Sequence, residues 1–236
     1  MPMETSKTVV VFGETGVGKS SVINTCYSVA IKGHTYNLHD TIGLGEDSTG
    51  TMGNSKAIVN LYNLLTLLSK NGGVHLLVFV VRSGRLKETM KKNYDLFYKG
   101  FCETKIPIVV VVTGCEGESN DMDQWWGRNR QFFEKAGMTF RGHACVCAFK
   151  GRLGKHGYVN KDLVEQSREL VKDLIVRHRK ADGWKKPPAP WLTQVWYFFL
   201  NLFKGGLPWD SIETYLNLLS SGISHVEAFN IMKAMK

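Results

Sequence analysis

One short motif constrains the fold of this chain more than any other feature of its sequence. Residues 13–20 read GETGVGKS and fit the pattern GxxxxGK[ST] at every fixed position. A β-branched run at residues 8–12 precedes the motif, and an amphipathic helical pattern begins near Lys19. Glycines let main-chain N–H groups wrap around an anion, and a helix N-terminus adds partial positive charge. This strand–loop–helix setting favours a phosphate-binding loop over a chance glycine-rich turn.

The residue types in this loop predict separate roles for its members. We expect the Lys19 ammonium to contact the outer phosphates of a nucleotide and the Ser20 hydroxyl to ligate Mg²⁺. The predicted nucleotide contacts of the loop are Gly13, Glu14, Thr15, Gly16, Val17, Gly18, Lys19, Ser20 and Ser21. The motif alone does not separate ATP from GTP, or a kinase from a switch protein.

Apolar runs alternate with helical patterns through residues 1–182. The predicted strands cover residues 8–12, 36–39, 74–81, 106–113 and 143–149, and the predicted helices cover 20–31, 57–69, 87–101, 123–135 and 161–179. Runs that are apolar throughout suit strands covered on both faces, as in a parallel sheet. The alternation therefore predicts a three-layer α/β/α fold of the P-loop NTPase type, with a mostly parallel sheet.

The composition changes after residue 182. Residues 183–190, GWKKPPAP, contain three prolines and predict an extended linker. Residues 191–236 predict a helical C-terminal extension that opens with an aromatic segment, Trp191 to Phe203. That segment is apolar on most sides, with lysines on both flanks. Two alternatives stay open: a helix on a membrane surface, or a helix docked on the first domain or on a partner.

A second candidate element, Asp40 to Gly43, follows a predicted strand. An aspartate at a strand end near Ser20 can hold Mg²⁺ through water, so the predicted metal site consists of Ser20 and Asp40. The Gly43 N–H can reach the terminal phosphate of a nucleotide. The alternative is an ordinary Asx turn, since DxxG is common by chance. The phosphate loop upstream favours the metal site.

A third candidate element, Thr113 to Glu116, follows the strand at residues 106–112, where a GTPase places its base-reading loop. A carboxylate at Glu116 would accept hydrogen bonds from the N1 and N2 hydrogens of guanine, which adenine cannot offer. Thr113 and Glu116 are therefore predicted nucleotide contacts. Gly114 stands where a lysine usually packs on the base. The alternative is a plain strand-to-helix turn with an exposed glutamate. A backbone N–H at residues 147–149 is a weaker candidate for the guanine oxygen.

These elements together resemble the septin-related (paraseptin) GTPases, a group that includes the immune-associated and chloroplast-import Toc GTPases. The fungal G domain-containing branch is the most similar. The resemblance rests on GETGVGKSS at 13–21, DTIGLGE at 40–46, VHLLVFVVRSGR at 74–85, VVTGCE at 111–116, DQWW at 123–126 and GHACV at 142–146. It implies a guanine nucleotide (GTP or GDP), Mg²⁺, slow hydrolysis and dimerisation across the nucleotide face. It also implies a C-terminal extension that meets a membrane.

The chain departs from that group between Lys19 and Asp40, which are separated by only 20 residues. A helix and a strand fill most of this length, so neither a switch loop nor an extra strand is expected to fit. We therefore predict a sheet shortened at this edge and weak or absent GTP hydrolysis. No catalytic glutamine is identifiable in residues 43–53. Two explanations stay open: binding without a normal switch, or a splice or gene-model variant.

Composition narrows the classes of partner and location. Lys and Arg exceed Asp and Glu by nine, which suits a solvated basic surface or an anionic partner, but no dense Lys/Arg block predicts nucleic-acid binding. The absence of a signal peptide predicts a cytoplasmic protein, peripheral to a membrane if the extension binds lipid. The five cysteines, without a CxxC pair, predict buried free thiols.

Some side chains near these elements have two interpretations. Arg82 and Arg85 either line a dimer face or stay solvated, and Trp125 and Trp126 belong either to the core or to a stacking surface. His143 receives no predicted role. The sequence predicts a GTP-binding protein. An ATP-binding P-loop kinase or ATPase, or a non-switching module that tethers a membrane or a partner, remains the alternative.

Overall fold

The computed structural model describes residues 6–26, 30–31, 34–41, 55–118, 121–155 and 157–186. Of residues 24–26, 30–31, 34 and 55–62 only the backbone is described. The predicted contact Gly43, the second half of the predicted linker (residues 187–190) and the whole extension at 191–236 lie outside these ranges. The first half of that linker is no free linker, because Trp184 pairs with Val74 and is buried.

Within the described part of the chain, six strands form the central sheet in the order β2-β3-β1-β4-β5-β6. The strands are β1 (Lys7–Phe12), β2 (Ala30–Ile31), β3 (His34–Asp40), β4 (Leu76–Arg82), β5 (Ile108–Thr113) and β6 (His143–Val146), with a separate hairpin of β7 (Leu153–Gly154) and β8 (Gly157–Tyr158). All neighbours from β3 to β6 are parallel. The predicted α/β fold with a mostly parallel sheet is therefore confirmed.

The helices lie close to their predicted positions. They are α1 (Lys19–Cys26), α2 (Ser55–Lys70), α3 (Glu88–Tyr94), α4 (Gln124–Lys135) and α5 (Lys161–His178), and a π-helical turn (Asp95–Phe101) continues α3. The predicted helix at 87–101 thus changes hydrogen-bonding pattern halfway. The carboxylate of the buried Asp95 pairs with Lys91 one turn before it and with Lys99 one turn after it.

The prediction that no extra strand fits between Lys19 and Asp40 is wrong. Helix α1 ends at Cys26 and not at residue 31 as predicted. Ala30 and Ile31 lie beyond the helix and form β2. This strand pairs antiparallel with the start of β3, Ala30 opposite Thr35 and Ile31 opposite His34. Even a two-residue strand is favourable here, because it provides partners for backbone N–H and C=O groups of β3 that would otherwise be unpaired at the outer side of the sheet. The sheet edge is nevertheless short.

Alternate residues of each central strand point to opposite faces, and both faces are covered. Helices α2, α3 and α4 pack on one face, around an aromatic cluster in which the rings of Phe12 and Phe97 lie 4.4 Å apart. Helices α1 and α5 pack on the other face, against Val9 and Val11 of β1. Double coverage explains why these strands are apolar throughout, and it leaves only the strand ends for polar chemistry.

Trp125 and Trp126 belong to the first of these cores. Each side chain is 8 % exposed, and the Trp126 ring stacks on the His143 ring at 4.7 Å between centroids. His143 Nε2 in turn lies 2.9 Å from Asp123 Oδ1 at the start of α4. The core interpretation of both tryptophans is confirmed, and His143, which received no role from the sequence, fastens α4 to β6.

The chain after α5 returns to the amino ends of the central strands. The Lys180 N–H donates to the His75 carbonyl at 2.9 Å, and Trp184 pairs antiparallel with Val74 through two bonds of 2.8 Å. The Trp184 side chain is buried in the aromatic core. Residues 180–184 therefore cover the amino ends of the central strands, at the end of the sheet opposite the phosphate loop.

Candidate functional site

The three candidate elements meet at one edge of the sheet. The phosphate loop follows β1, Asp40 ends β3, and the loop of Thr113 and Glu116 follows β5. Parallel strands place their carboxyl ends along the same edge, so all these segments open on one crevice. The structure places the described parts of the three elements at the same end of the sheet.

The phosphate loop is folded tightly against β4. A Cβ atom added to Gly13 would lie 2.2 Å from the Val80 carbonyl oxygen, and the Gly13 φ of 152° is one that side-chain-bearing residues rarely adopt. Only glycine therefore allows the loop to leave β1 at this point. Thr15 at the tip of the loop is exposed, and Ser21 in the first turn of α1 is half-buried.

Lys19 lies inside the curve of the loop. Its ammonium donates to the Gly13 carbonyl at 3.2 Å and to the Glu14 carbonyl at 2.8 Å. The residue is 8 % exposed although it carries a charge. Lysine is seldom buried to this degree unless it is paired or hydrogen-bonded. The loop thus holds a cation at the centre of a backbone curve, the arrangement that a phosphate group requires.

Ser20 and Asp40 lie side by side, as the sequence predicts. The Ser20 Oγ donates to Asp40 Oδ2 at 3.4 Å, and both residues are exposed. Asp40 reaches this position because it is the register partner of Val11 in the neighbouring strand β1. Thr41 fixes the end of β3, since its N–H and hydroxyl both bind the Val11 carbonyl. Two hard oxygen donors next to the phosphate loop fit Mg²⁺.

Thr113 connects the phosphate loop to β5. Its hydroxyl lies 2.6 Å from the Val17 carbonyl and 3.3 Å from the Val81 carbonyl, and its side chain is buried. The sequence predicts Thr113 as a nucleotide contact, whereas its hydroxyl in this structure binds the backbone of the loop. Thr113 thus fixes the distance between the loop and the candidate base-reading residues.

Glu116 has the property that a base-reading carboxylate requires. Its Oε2 atom is buried and accepts no hydrogen bond from the part of the chain that the structure describes. A buried carboxylate oxygen without a donor is unfavourable by about 1–3 kcal/mol or more. A ligand with two adjacent N–H groups would remove this penalty. Burial raises the pKa of the neighbouring Cys147 thiol, and both the charge of the Glu116 carboxylate and a side-chain contact with it add to that rise. The thiol itself donates to the Phe149 carbonyl at 3.1 Å, so it does not serve as the donor to Glu116 Oε2.

The segment after β6 is the weakest part of the predicted site. Strand β6 ends at Val146 rather than at the predicted residue 149. The Cys147 N–H donates to the Ser167 hydroxyl of α5 at 2.9 Å and is therefore engaged. Ala148 lies close to the phosphate loop, since its Cβ is 3.7 Å from a Cβ added to Gly18. The prediction of a backbone N–H for the guanine oxygen thus narrows to Ala148 and Phe149.

Sequence reasoning missed the partners of Glu14. The Glu14 carboxylate accepts a hydrogen bond from the Thr89 hydroxyl, and its other oxygen lies 3.5 Å from the Lys87 ammonium. Thr89 and Lys87 begin α3, which follows the strand next to β1. The side chain of this predicted nucleotide contact therefore joins the loop to α3. Adjacency of β1 and β4 was the available signal, but no motif marks Thr89 or Lys87.

The cysteines whose side chains the structure describes are Cys102, Cys115, Cys145 and Cys147, all of them free and buried. This confirms the predicted free thiols, except for Cys26, whose side chain lies outside the description. A hydrogen bond with Cys115, followed by burial, raises the pKa of the Cys145 thiol, which stays protonated. Within the described ranges, no group of three or more His, Cys, Asp or Glu side chains forms a metal site. No helix within them is long and apolar enough to cross a membrane.

No protein-family model matches the chain, and no curated protein sequence matches it. Similar solved structures include a GTP-binding protein from the archaeon Sulfolobus solfataricus in complex with GDP, at 16 % identity over 72 % of this chain and 53 % of that one, with a TM-score of 0.45. Another is a point variant of Era from Aquifex aeolicus bound to GDP·AlF4⁻, at 14 % identity over 76 % and 59 %, with a TM-score of 0.49. A third is elongation factor SelB from Methanococcus maripaludis with the GTP analogue GppNHp, at 17 % identity over 74 % and 34 %, with a TM-score of 0.43.

All three of these proteins bind guanine nucleotides, as their descriptions state. The chain matches between 34 % and 59 % of the length of each. At such low identities and TM-scores, they carry no argument about the ligand of this chain.

Proposed function

We propose that this chain is a guanine-nucleotide-binding protein of the P-loop GTPase class. One observation carries the proposal: Glu116 Oε2, buried and without a donor in the described part of the chain, follows β5 at the same end of the sheet at which the Lys19 ammonium lies inside its backbone curve. A cation in an anion cradle supports a phosphate chain. A carboxylate oxygen without a donor supports a base edge with two N–H groups, which guanine has and adenine lacks.

The residues of the site fit both the nucleotide and its metal. Main-chain N–H groups of residues 13–18, with Lys19, would hold the phosphates, and Glu116 would hold the base. Ser20 and Asp40 would hold Mg²⁺, directly or through water. A Mg²⁺ ion held there would supply positive charge that neutralises the phosphates.

The decisive experiment is a comparison of affinities in the purified chain. GTP and GDP should bind more tightly than ATP, and removal of Mg²⁺ by a chelator should weaken GTP more than GDP. Equal affinity for ATP and GTP would favour the second candidate, an ATP-binding P-loop kinase or ATPase. No detectable binding of either nucleotide would remove the proposal.

Hydrolysis is proposed to be weak or absent. The backbone between α1 and β3 is short, and β2 occupies part of it, which leaves little chain for a loop that closes on the metal. A turnover assay with GTP in excess tests this point. Rates typical of an activated GTPase, about 1 s⁻¹ or faster, would contradict it.

A homodimer and a membrane contact are also proposed, both from features of the sequence. Similarity to septin-related GTPases suggests a homodimer across the nucleotide face, where Arg82 and Arg85 are exposed. The aromatic segment Trp191 to Phe203 suggests a peripheral membrane contact and a cytoplasmic location. Sedimentation with GDP and with a GTP analogue tests the dimer. Deletion of residues 191–236 should abolish liposome binding while nucleotide affinity survives, as a tethering module requires.

A further inference from the structure

We propose that Arg82, at the end of β4, supplies the cation over the face of the bound purine that Gly114 cannot supply. The inference rests on the proposed nucleotide site and adds a second base contact to it. It assigns Arg82 to the binding of the base in the same chain, rather than to the surface alone.

The first argument is the position of Arg82 relative to Gly114. The last pair of register partners between β4 and β5 is Arg82 and Thr113, so Arg82 stands beside the residue that precedes Gly114. A Cβ atom added to Gly114 would lie 3.6 Å from Arg82 Cγ and 3.8 Å from Arg82 Nε. The Arg82 side chain thus occupies the space into which a longer residue at 114 would begin to grow.

The second argument is that this arrangement is held in place. The Ser83 N–H donates to the Thr113 carbonyl and the Ser83 hydroxyl donates to the Gly114 carbonyl, both at 2.7 Å. Gly114 has a φ of 80°, which disfavours any residue with a side chain. A Cβ at Gly114 would also lie 2.9 Å from the Ser83 Oγ. The local backbone therefore requires glycine at 114 and brings Arg82 beside it.

The third argument is the expected position of the purine ring relative to Gly114 and Arg82. The phosphates of a nucleotide bind residues 13–20, and the edge of its base reaches Glu116, two residues beyond Gly114. A purine held at both ends lies near Gly114, next to Arg82. Within the described chain Arg82 forms no ion pair, and the residue is exposed at the carboxyl end of β4, the end of the sheet at which the phosphate loop and Glu116 also lie. Its guanidinium group is therefore available for an aromatic face.

Guanidinium groups stack well on flat aromatic rings, and this attraction does not depend on the pattern of hydrogen-bond donors at the ring edge. Arg82 should therefore strengthen binding of any purine nucleotide, whereas Glu116 should discriminate between purines. The two residues divide the recognition of the base between its face and its edge.

The test measures calorimetric affinities of the full chain with Mg²⁺ for GDP, ADP and tripolyphosphate, which lacks a base. We expect Arg82→Ala to weaken GDP by about 2- to 30-fold, and ADP by a similar factor, with tripolyphosphate unchanged. Arg82→Lys should retain part of the affinity, and Arg82→Gln should lose as much as alanine. Arg177→Ala is the matched control, an exposed arginine in the last turn of α5 at the opposite end of the sheet, and should leave GDP affinity unchanged.

The outcomes separate this inference from the proposed function. Unchanged GDP affinity in Arg82→Ala, while the wild type binds GDP, overturns the role of Arg82 alone. An equal loss for tripolyphosphate also overturns it, because Arg82 would then act on phosphate. Absence of GDP binding by the wild-type chain would overturn both proposals. Since Arg82 is exposed, its variants should retain the wild-type melting temperature. The glutamine variant repeats the test with a long polar side chain that carries no charge.

Discussion

The hydroxyl of Thr113 lies 2.6 Å from the carbonyl of Val17, so the end of β5 is tied to the middle of the phosphate loop. The bond joins the part of the site that would hold phosphates to the part that would hold the base. Both residues are buried, and the Val81 carbonyl lies within reach of the same hydroxyl at 3.3 Å. The spacing of the two half-sites is therefore set inside the protein, before any ligand binds.

Replacement of Thr113 by valine tests this link, because valine keeps the shape of the side chain and removes its donor. The Val17 carbonyl would lose a partner, which should lower the free energy of unfolding by about 1–3 kcal/mol. GTP and ATP affinities should fall by similar factors, since spacing rather than base choice is disturbed. Denaturant unfolding and nucleotide titration measure the two effects. Thr113→Ser, which retains the hydroxyl, should behave like the wild type; a loss confined to GTP would contradict this interpretation.

Lys19→Ala should abolish nucleotide binding. The ammonium lies inside the backbone curve, and a buried charged contact to phosphate contributes about 2–5 kcal/mol, so affinity should fall by about 30- to 5,000-fold. Filter binding of labelled GTP gives the measurement. Lys161→Ala, an exposed lysine at the start of α5, is a suitable control and should bind normally. Retained affinity in Lys19→Ala would show that the loop does not hold the phosphates.

Glu116→Ala should remove the preference for GTP over ATP. Two hydrogen bonds to a carboxylate would be lost for guanine, weakening GTP by about 10- to 100-fold, while ATP changes little. The unliganded variant should be at least as stable as the wild type, because an unpartnered buried oxygen is removed. Competition binding and thermal melting report the two quantities. Glu118→Ala, which among the described residues breaks the pair with Arg128, should keep the preference.

Gly13→Ala should destabilise the domain, since its Cβ would lie 2.2 Å from the Val80 carbonyl oxygen. Overpacking of this kind typically lowers the free energy of unfolding by about 1–3 kcal/mol. This loss comes in addition to the backbone strain that a residue with a Cβ has at the Gly13 φ of 152°. Gly16→Ala is the matched control in the same loop, because nothing lies within 4 Å of its added Cβ. That variant retains only the strain of a left-handed backbone, about 1–2 kcal/mol. Equal melting temperatures for Gly13→Ala and the wild type would exclude the close approach to β4.

The free energy of unfolding should decrease as the pH decreases, because His75 becomes protonated. Burial lowers the pKa of this imidazole in the folded state, with smaller effects from Lys7 and Arg179, and its Nδ1 accepts the Thr8 N–H at 3.0 Å. The neutral ring is therefore favoured on folding. The contribution is fully present above the unfolded-state pKa of about 6.5 and is lost as the pH falls below it.

Urea unfolding at pH 8 and pH 5 measures this effect of pH. His75→Asn keeps an acceptor near Thr8 and removes the titration, so the stability of this variant should depend less on pH than that of the wild type. The pKa values of His39 and His178 are lowered by burial as well, so a residual decrease in the variant is expected. An identical decrease in both proteins would assign the pH dependence to other groups.

The architecture of the first domain could be predicted from the sequence because doubly covered strands leave apolar runs and the phosphate loop leaves fixed glycines. The β2 strand could not, since two residues carry no periodicity and their pairing depends on β3. Ser20 and Asp40 were predictable as a pair from parallel neighbouring strands. The contacts of Glu14 with Thr89 and of Arg82 with Gly114 could not be predicted. They join residues that follow neighbouring strands, and no sequence motif indicates where these side chains point.

The closure made by residues 180–184 has a consequence for synthesis of the protein. Val74 and His75 find these partners only at the far end of the described chain. On the ribosome, strands β1 and β4 are complete long before Trp184 leaves the exit tunnel. The nascent domain therefore lacks these backbone pairings, and its aromatic core lacks the Trp184 side chain, until Trp184 has left the exit tunnel.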